Sequence, residues 1–365
     1  MILGNNQLMK SKSEIVYETG KYQFWNHDSS GALYYSSDYG ANWTRAVIPG
    51  FPSYGSMSQM AVSKDGKYVM MHAGYSSDAY VAISSDYGVT WANATTLGVP
   101  QSYNQTGLAV SDTGQYQHIQ MRTICYISDD YGASWIRGGN GGSNGRAFSM
   151  SGDGQYRLMD NYAALKPLVS SDFGVSWVSQ TEFSSAYGAH SGISRDGKYM
   201  YVCQNNSYLW RSADYGVTFV NSLRYFNFRP AISWDGQYVL VTGQAAGQTA
   251  EGVSFSNDYG ATWIDTLLGA CYNGGAVSGE TGQYMVIGIY QVGIYVSNDW
   301  GDSWILKVSN GGHFMIPAIS SDGKYIAICL DSSRYVYLSN DYGATFTSYG
   351  GTNAHLSNAV FSAIN

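Results

Sequence analysis

Hydrophobic and polar positions alternate with period two in short runs along most of the chain. One stretch reads QMAVS at 59–63, KYVMMHA at 67–73, AYVAISS at 79–85 and TWANAT at 90–95. Runs of this length, rich in β-branched and aromatic residues and separated by turn signals, predict β-strands, here four antiparallel strands to a unit.

Two turn signals punctuate the strands. The first, called the aspartate turn below, is Ser-x-Asp-aromatic-Gly-x-(Thr, Ser or Asn)-(Trp or Phe), as in SSDYGVTW and SNDWGDSW. Its aspartates are Asp38, Asp86, Asp130, Asp172, Asp214, Asp258, Asp299 and Asp341, spaced by 48, 44, 42, 42, 44, 41 and 42 residues. Its short carboxylate accepts hydrogen bonds from amides two or three residues on, its glycine supplies left-handed backbone, and its hydroxyl residue bonds across the turn. The Trp or Phe that follows begins the fourth strand and is expected to bury its ring between neighbouring units, worth about 2–3 kcal/mol. The second signal, the glycine turn, is a hairpin sequence such as KDGKY or DTGQY, ending at Tyr22, Tyr68, Tyr116, Tyr156, Tyr199, Tyr238, Tyr284 and Tyr325. Its Asp-Gly or Thr-Gly pair is expected to supply the positive φ angles of a tight hairpin.

Eight turn pairs in register predict one closed repeat domain: an all-β propeller of eight four-stranded antiparallel blades, spanning 13–365 after an N-terminal extension of 1–12. A seven-bladed ring with one displaced unit is the alternative. Both SEIVYE at 13–18 and SNAVFSAIN at 357–365 read as a first strand. Either the C-terminal strand closes the ring beside the first blade, or an extra strand covers an edge.

The aspartate turns resemble the Asp-box, or BNR, repeats of sialidase-like β-propellers, over nearly the whole chain. The resemblance implies that these turns join third to fourth strands at the blade periphery and are structural. It leaves function open, because sialidases, xyloglucan-cleaving glycosidases, sortilin-type receptors and a photosystem II assembly factor share the repeat.

Composition narrows the partners. The net charge is -7, and the 19 Lys and Arg residues are scattered singly, with no basic stripe for nucleic acid. No run approaches the length of a membrane span, and 1–14 lacks the apolar core of a Sec-type signal. Cys125, Cys203, Cys271 and Cys329 occupy non-equivalent places and read as buried free thiols. Sequons stand at Asn42, Asn93, Asn104 and Asn205.

Since both regular turns fall on one face, the irregular loops and inter-blade connections gather on the other, the expected binding face. Tyr103, Asn104, Tyr187, His190, Tyr225, Arg229, Tyr272, Asn273, His313 and His355 are the candidate ligand contacts. Aromatic faces and amides suit sugar rings and hydroxyls, although tyrosine and asparagine are also ordinary loop residues in a tyrosine-rich chain. His313 and His355 hold related places in neighbouring units, but no further ligand joins them, so no metal and no cofactor is expected.

Few carboxylates lie outside the turns. Asp28, Asp78 and Asp331 fall in loops of consecutive blades and are the three candidates for a glycosidase carboxylate pair; Asp160, Glu182 and Glu251 complete the set. Sialidase chemistry is disfavoured: Phe228, Arg229 and Pro230 lack the isoleucine of the sialidase motif and lie between the fifth and sixth aspartate turns. Nothing in the sequence converges Arg122, Arg146 and Arg334 either. The expected function is a non-catalytic binding module or scaffold whose loop face contacts a glycan or a cell- or particle-surface ligand, with a protein-assembly scaffold and a glycoside hydrolase as alternatives.

Overall fold

The computed structural model describes residues 20–27, 32–50, 57–73, 80–99, 107–121, 124–139, 148–159, 166–183, 188–204, 208–225, 230–244, 251–266, 268, 269, 271, 275–309, 312, 317–330, 335–350 and 356–361. They form eight four-stranded sheets. Within each sheet every neighbouring pair is antiparallel, and successive innermost strands pack against one another around the whole circle. The ring therefore has eight blades, and the seven-bladed alternative falls. Blades are numbered 1 to 8 by their aspartate turns, Asp38 to Asp341.

Blade 1 is built from both ends of the chain. Its innermost strand is Leu356–Phe361, paired antiparallel with Gln23–His27, which pairs with Ala32–Ser36 and then Thr44–Arg45. The C-terminal strand thus closes the ring. The competing segment 13–18 and the extension 1–12 lie outside the described residues.

Blades pack face to face through apolar clusters. Phe24 and Leu33 of blade 1 meet Val62, Val69 and Met71 of blade 2, and Trp91, from the start of the fourth strand of blade 2, lies in the same cluster. Similar clusters join blades 2 and 3, 4 and 5, 5 and 6, 6 and 7, and 7 and 8. Rings such as Trp135, Phe219 and Trp304 fill them, as the position after the aspartate turn predicts. Between blades 3 and 4 no such cluster exists among the described residues. All four cysteines are buried, and none forms a disulfide.

Candidate functional site

The aspartate turn is closed by its own side chains. In blade 6 the Ser256 hydroxyl donates to Asp258 Oδ1 at 2.8 Å and accepts from the Gly260 amide at 2.8 Å. The Thr262 amide donates to Asp258 Oδ1 and its hydroxyl to Oδ2. The nearest amide partner is thus four residues on, with the Ala261 amide three residues on also drawing on the carboxylate, because two successive residues are left-handed. Tyr259 has φ 62° and Gly260 φ 75°, and the eight turn aromatics all fall between 60° and 65°. Such a conformation costs a non-glycine residue about 1–2 kcal/mol. Burial raises the Asp258 pKa, but the bonds from Thr262 and Ser256 outweigh it and hold the carboxyl below its ordinary value.

What holds the aromatic residue in that conformation comes from the neighbouring blade. Tyr199, which ends the glycine turn of blade 5, stacks on Tyr259 of blade 6 with ring centroids 4.5 Å apart. The same pairing recurs around the ring, from Tyr22 on Tyr87 at 4.3 Å to Tyr325 on Tyr39 at 5.3 Å, which joins blade 8 to blade 1. Each tyrosine also presses on the glycine of the next glycine turn. A Cβ on Gly236 would lie 2.7 Å from the Tyr199 ring, and one on Gly114 would lie 2.0 Å from that of Tyr68. The glycine turn is itself a longer loop than a two-residue hairpin. Only the glycine has positive φ, the Ser233 amide donates to the Tyr238 carbonyl, and Asp235 accepts from Ser233 and the Gln237 amide.

Towards the axis the glycine turns join into a girdle of inter-blade backbone bonds. Lys64 donates to Asp112, Asp112 to Gly152, Gly152 to Arg195, Arg195 to Trp234, Trp234 to Gly279, and Glu280 to Ser321, at 2.7–2.9 Å. The side chains of this girdle meet across it. The Trp234 ring of blade 6 lies under the Arg195 guanidinium at 4.0 Å and takes the Lys64 ammonium of blade 2, on the opposite side of the ring, at 4.3 Å. Arg195 Nε donates to Asp112 Oδ2 at 2.5 Å in an ion pair. Glycine is required twice here. A Cβ on Gly152 would strike Asp112 and Arg195, and one on Gly279 would come within 2.3 Å of the Trp234 indole nitrogen. These side chains roof the turn-side end of the ring, and Asp112, Arg195 and Trp234 line a shallow depression there with Asp153, Asp196 and Asp235. Burial lowers the Lys64 pKa, as does Arg195, while Asp112 and Glu280 oppose the shift.

None of the roof residues was singled out from sequence. The signal available was the variable position after the serine of each glycine turn, which reads Lys64, Asp112, Gly152, Arg195, Trp234, Gly279 and Ser321 when the repeats are aligned.

The predicted ligand contacts fare differently. His190 is half-buried in the innermost strand of blade 5, Gly188–Ile193, opposite Cys203, and Tyr225 ends the outer strand Val220–Tyr225 opposite Tyr208. Both were expected in connections; strand pairing extends further than the turn signals suggested. Glu251 likewise opens a strand, opposite Gln244. Glu182 joins two blades, accepting from the Phe219 amide at 3.1 Å. Tyr103, Asn104, Tyr187, Arg229, Tyr272, Asn273, His313 and His355 lie outside the described residues, as do Asp28, Asp78, Asp160, Asp331, Arg122, Arg146 and Arg334. Among the described residues no group of three His, Cys, Asp or Glu is placed to hold a metal, and no helix is long and apolar enough to cross a membrane.

Comparison with known proteins speaks to the fold. No protein-family model matches the chain, and no curated protein does. Solved structures do match. The dihydro-heme d1 dehydrogenase NirN, in complex with DHE, aligns over 97% of this chain and 78% of its own at 12% identity, with a TM-score of 0.65. AFV00434, an ancestral GH74 enzyme, aligns over 81% of this chain but 46% of its own at 14% identity and a TM-score of 0.57. YCF48 from Cyanidioschyzon merolae aligns over 78% and 96% at 13% identity and a TM-score of 0.50. At such identities the likeness is one of fold, shared by enzymes and by a protein also solved with a D1 peptide bound.

Proposed function

We propose that this chain is a non-catalytic binding scaffold whose loop face contacts the ligand, built on the Asp-box repeat that its aspartate turns resemble. The observation that carries the reading is how fully the turn face is committed to structure. Its aspartates are tied into turns, its tyrosines stapled between blades, and its end of the ring roofed by Trp234, Lys64, Arg195 and Asp112. A catalytic acid and base need a free pair of carboxylates of divergent pKa, whereas the carboxyls of the aspartate turns are all shifted the same way, downward. That leaves the loop face for recognition.

A glycan on that face is the first reading, supported by the aromatic and amide residues of the connections. The second, a protein-assembly scaffold, is favoured by the rim. The residue after each turn Trp or Phe points outward, and over five consecutive blades it is apolar and exposed: Ile136, Val178, Val220, Ile264 and Ile305. In blades 8, 1 and 2 the same position is Thr347, Thr44 and Ala92. An apolar arc of this kind fits a protein surface better than a sugar.

The test is a glycan array with the purified protein beside a Tyr187→Ala/Tyr272→Ala variant, run in parallel with pull-downs using Val178→Lys/Val220→Lys. Glycan binding abolished by the tyrosine pair supports the first reading; a protein partner lost with the rim pair supports the second. Hydrolysis of a polysaccharide or sialoside, lost on Asp28→Asn or Asp331→Asn, would overturn both.

A further inference from the structure

The interface between blades 3 and 4 departs from its neighbours. Where six other interfaces hold an apolar cluster, this one buries Arg157 and His118, both with 0% of their surface exposed. Arg157 occupies the place held by Gln23, Gln117, Met200 and Met285 in blades 1, 3, 5 and 7. It keeps the local contact made by the two glutamines: its Nε donates to the Gly154 carbonyl at 3.1 Å, as Gln23 does to Gly20 at 3.0 Å and Gln117 to Gly114 at 3.2 Å. Beyond that, Nη1 donates to His118 Nδ1 at 3.0 Å, and Nη2 has no hydrogen-bond partner.

A second poorly satisfied donor bears, as Arg157 does, on the Cys125 thiol. In blades 2, 3 and 7 the indole N–H of Trp91, Trp135 and Trp304 donates to the glycine carbonyl of its own aspartate turn at 2.8, 3.1 and 3.0 Å. Trp177, their counterpart in blade 4, makes no such bond, and its buried Nε1 has only the weakly accepting thiol of Cys125 beside it. Its ring meets His118 edge-on at 6.0 Å, while the His118 ring stacks on Phe148 at 4.0 Å. Arg157 and Trp177 both bear on Cys125, whose thiol burial pushes up to about 11 against their opposing pull. Burial lowers Arg157 only to about 10, so it stays a cation at neutral pH. Burial, and then the Arg157 charge, hold the His118 pKa well below its ordinary value, so its ring is neutral. The interface therefore contains a full positive charge, an unsatisfied donor at Arg157 Nη2 and a weakly satisfied one at Trp177 Nε1, and the Asp172 carboxylate attracts the guanidinium without a bond to it among the described residues. An interior charge of this kind needs a counter-charge.

We propose that this interface binds one small monoanion of the halide class, held by Arg157 Nη2 and Trp177 Nε1. A halide accepts several N–H donors without directional demands and brings the missing charge without a carbon skeleton to accommodate. The experiment uses the whole chain. Crystals grown in sodium bromide are measured at the bromine edge, and thermal unfolding is followed at constant ionic strength as bromide replaces gluconate. The expected result is an anomalous peak within hydrogen-bonding distance of Arg157 Nη2 and a Tm that rises by about 2 °C for each tenfold of bromide beyond the dissociation constant. In Arg157→Gln, which restores the residue found in blades 1 and 3, the rise should be lost. Equal bromide slopes in the two proteins, or density at the site without anomalous signal, would mean an ordered water only and would overturn the proposal. Should Arg157→Gln fail to fold, the anomalous map of the natural protein still decides.

Discussion

His72 and the turn aspartates respond to acid in opposite chemical senses, yet both weaken the fold as pH falls. Burial takes His72 down to about 4 from an ordinary 6.5. The unfolded chain therefore takes up this proton first, and stability is lost as pH falls from about 6.5 to about 4, by up to about 3 kcal/mol. His118 is shifted the same way by burial and by Arg157. The aspartates, held below their ordinary 3.8, contribute stability above that value and lose it as pH falls further, through their lowered values. A plot of unfolding midpoint against pH should thus show two declining limbs. His72→Gln should flatten the upper limb and leave the lower one; an unchanged upper limb would separate His72 from the acid response.

Between the single residue and the ring stands the pair of turns, and its energetic unit crosses a blade boundary. Tyr199→Ala removes a stacked ring and the surface that Gly236 rests on, and is expected to cost about 2–3 kcal/mol. Gly236→Ala forces a Cβ into that ring at φ 80° and should cost about 1–2 kcal/mol or more. Because removing the ring makes room for the methyl, the double variant should be more stable than the sum of the two by at least about 0.5 kcal/mol; strict additivity in urea unfolding would refute the contact. The parts of this unit were readable from sequence and their assembly was not. SNDYGATW announces a turn because every atom that closes it lies within eight residues, and the eightfold register announces a ring. That Tyr199 would land on Tyr259, sixty residues on and in another blade, depends on blade twist, which no local pattern encodes. The same holds for Arg157 against His118 and for Trp234 reaching Lys64. On the loop face the reading rests on composition alone, since irregular connections have no periodic signal to set their geometry.

At the scale of the molecule, charge and closure are both uneven. Much of the net charge of -7 gathers on the turn face, where Asp65, Asp112, Asp153, Asp196, Asp235 and Asp322 join the eight turn aspartates. That face should repel polyanions and leave them to approach the loops. Closure depends on one strand, Leu356–Phe361. A chain ending at residue 355 should unfold blade 1 separately and earlier, with a larger hydrodynamic radius, and a synthetic peptide of 356–365 added in trans should restore a single transition. Compact, cooperative behaviour of the shortened chain would show that closure is dispensable.

That closing strand also sets a timetable. On the ribosome, blades 2 to 8 each emerge as a contiguous hairpin series and have their partners at hand. Gln23–His27, made before every other described strand, waits until more than 300 further residues have been synthesised before its inner neighbour exists. For that interval blade 1 presents a bare edge, the kind of edge that pairs with strangers. A nascent chain of this design has reason to recruit a chaperone early and release it late, and a permuted gene that begins at residue 356 would shorten the wait to a few seconds of translation or less.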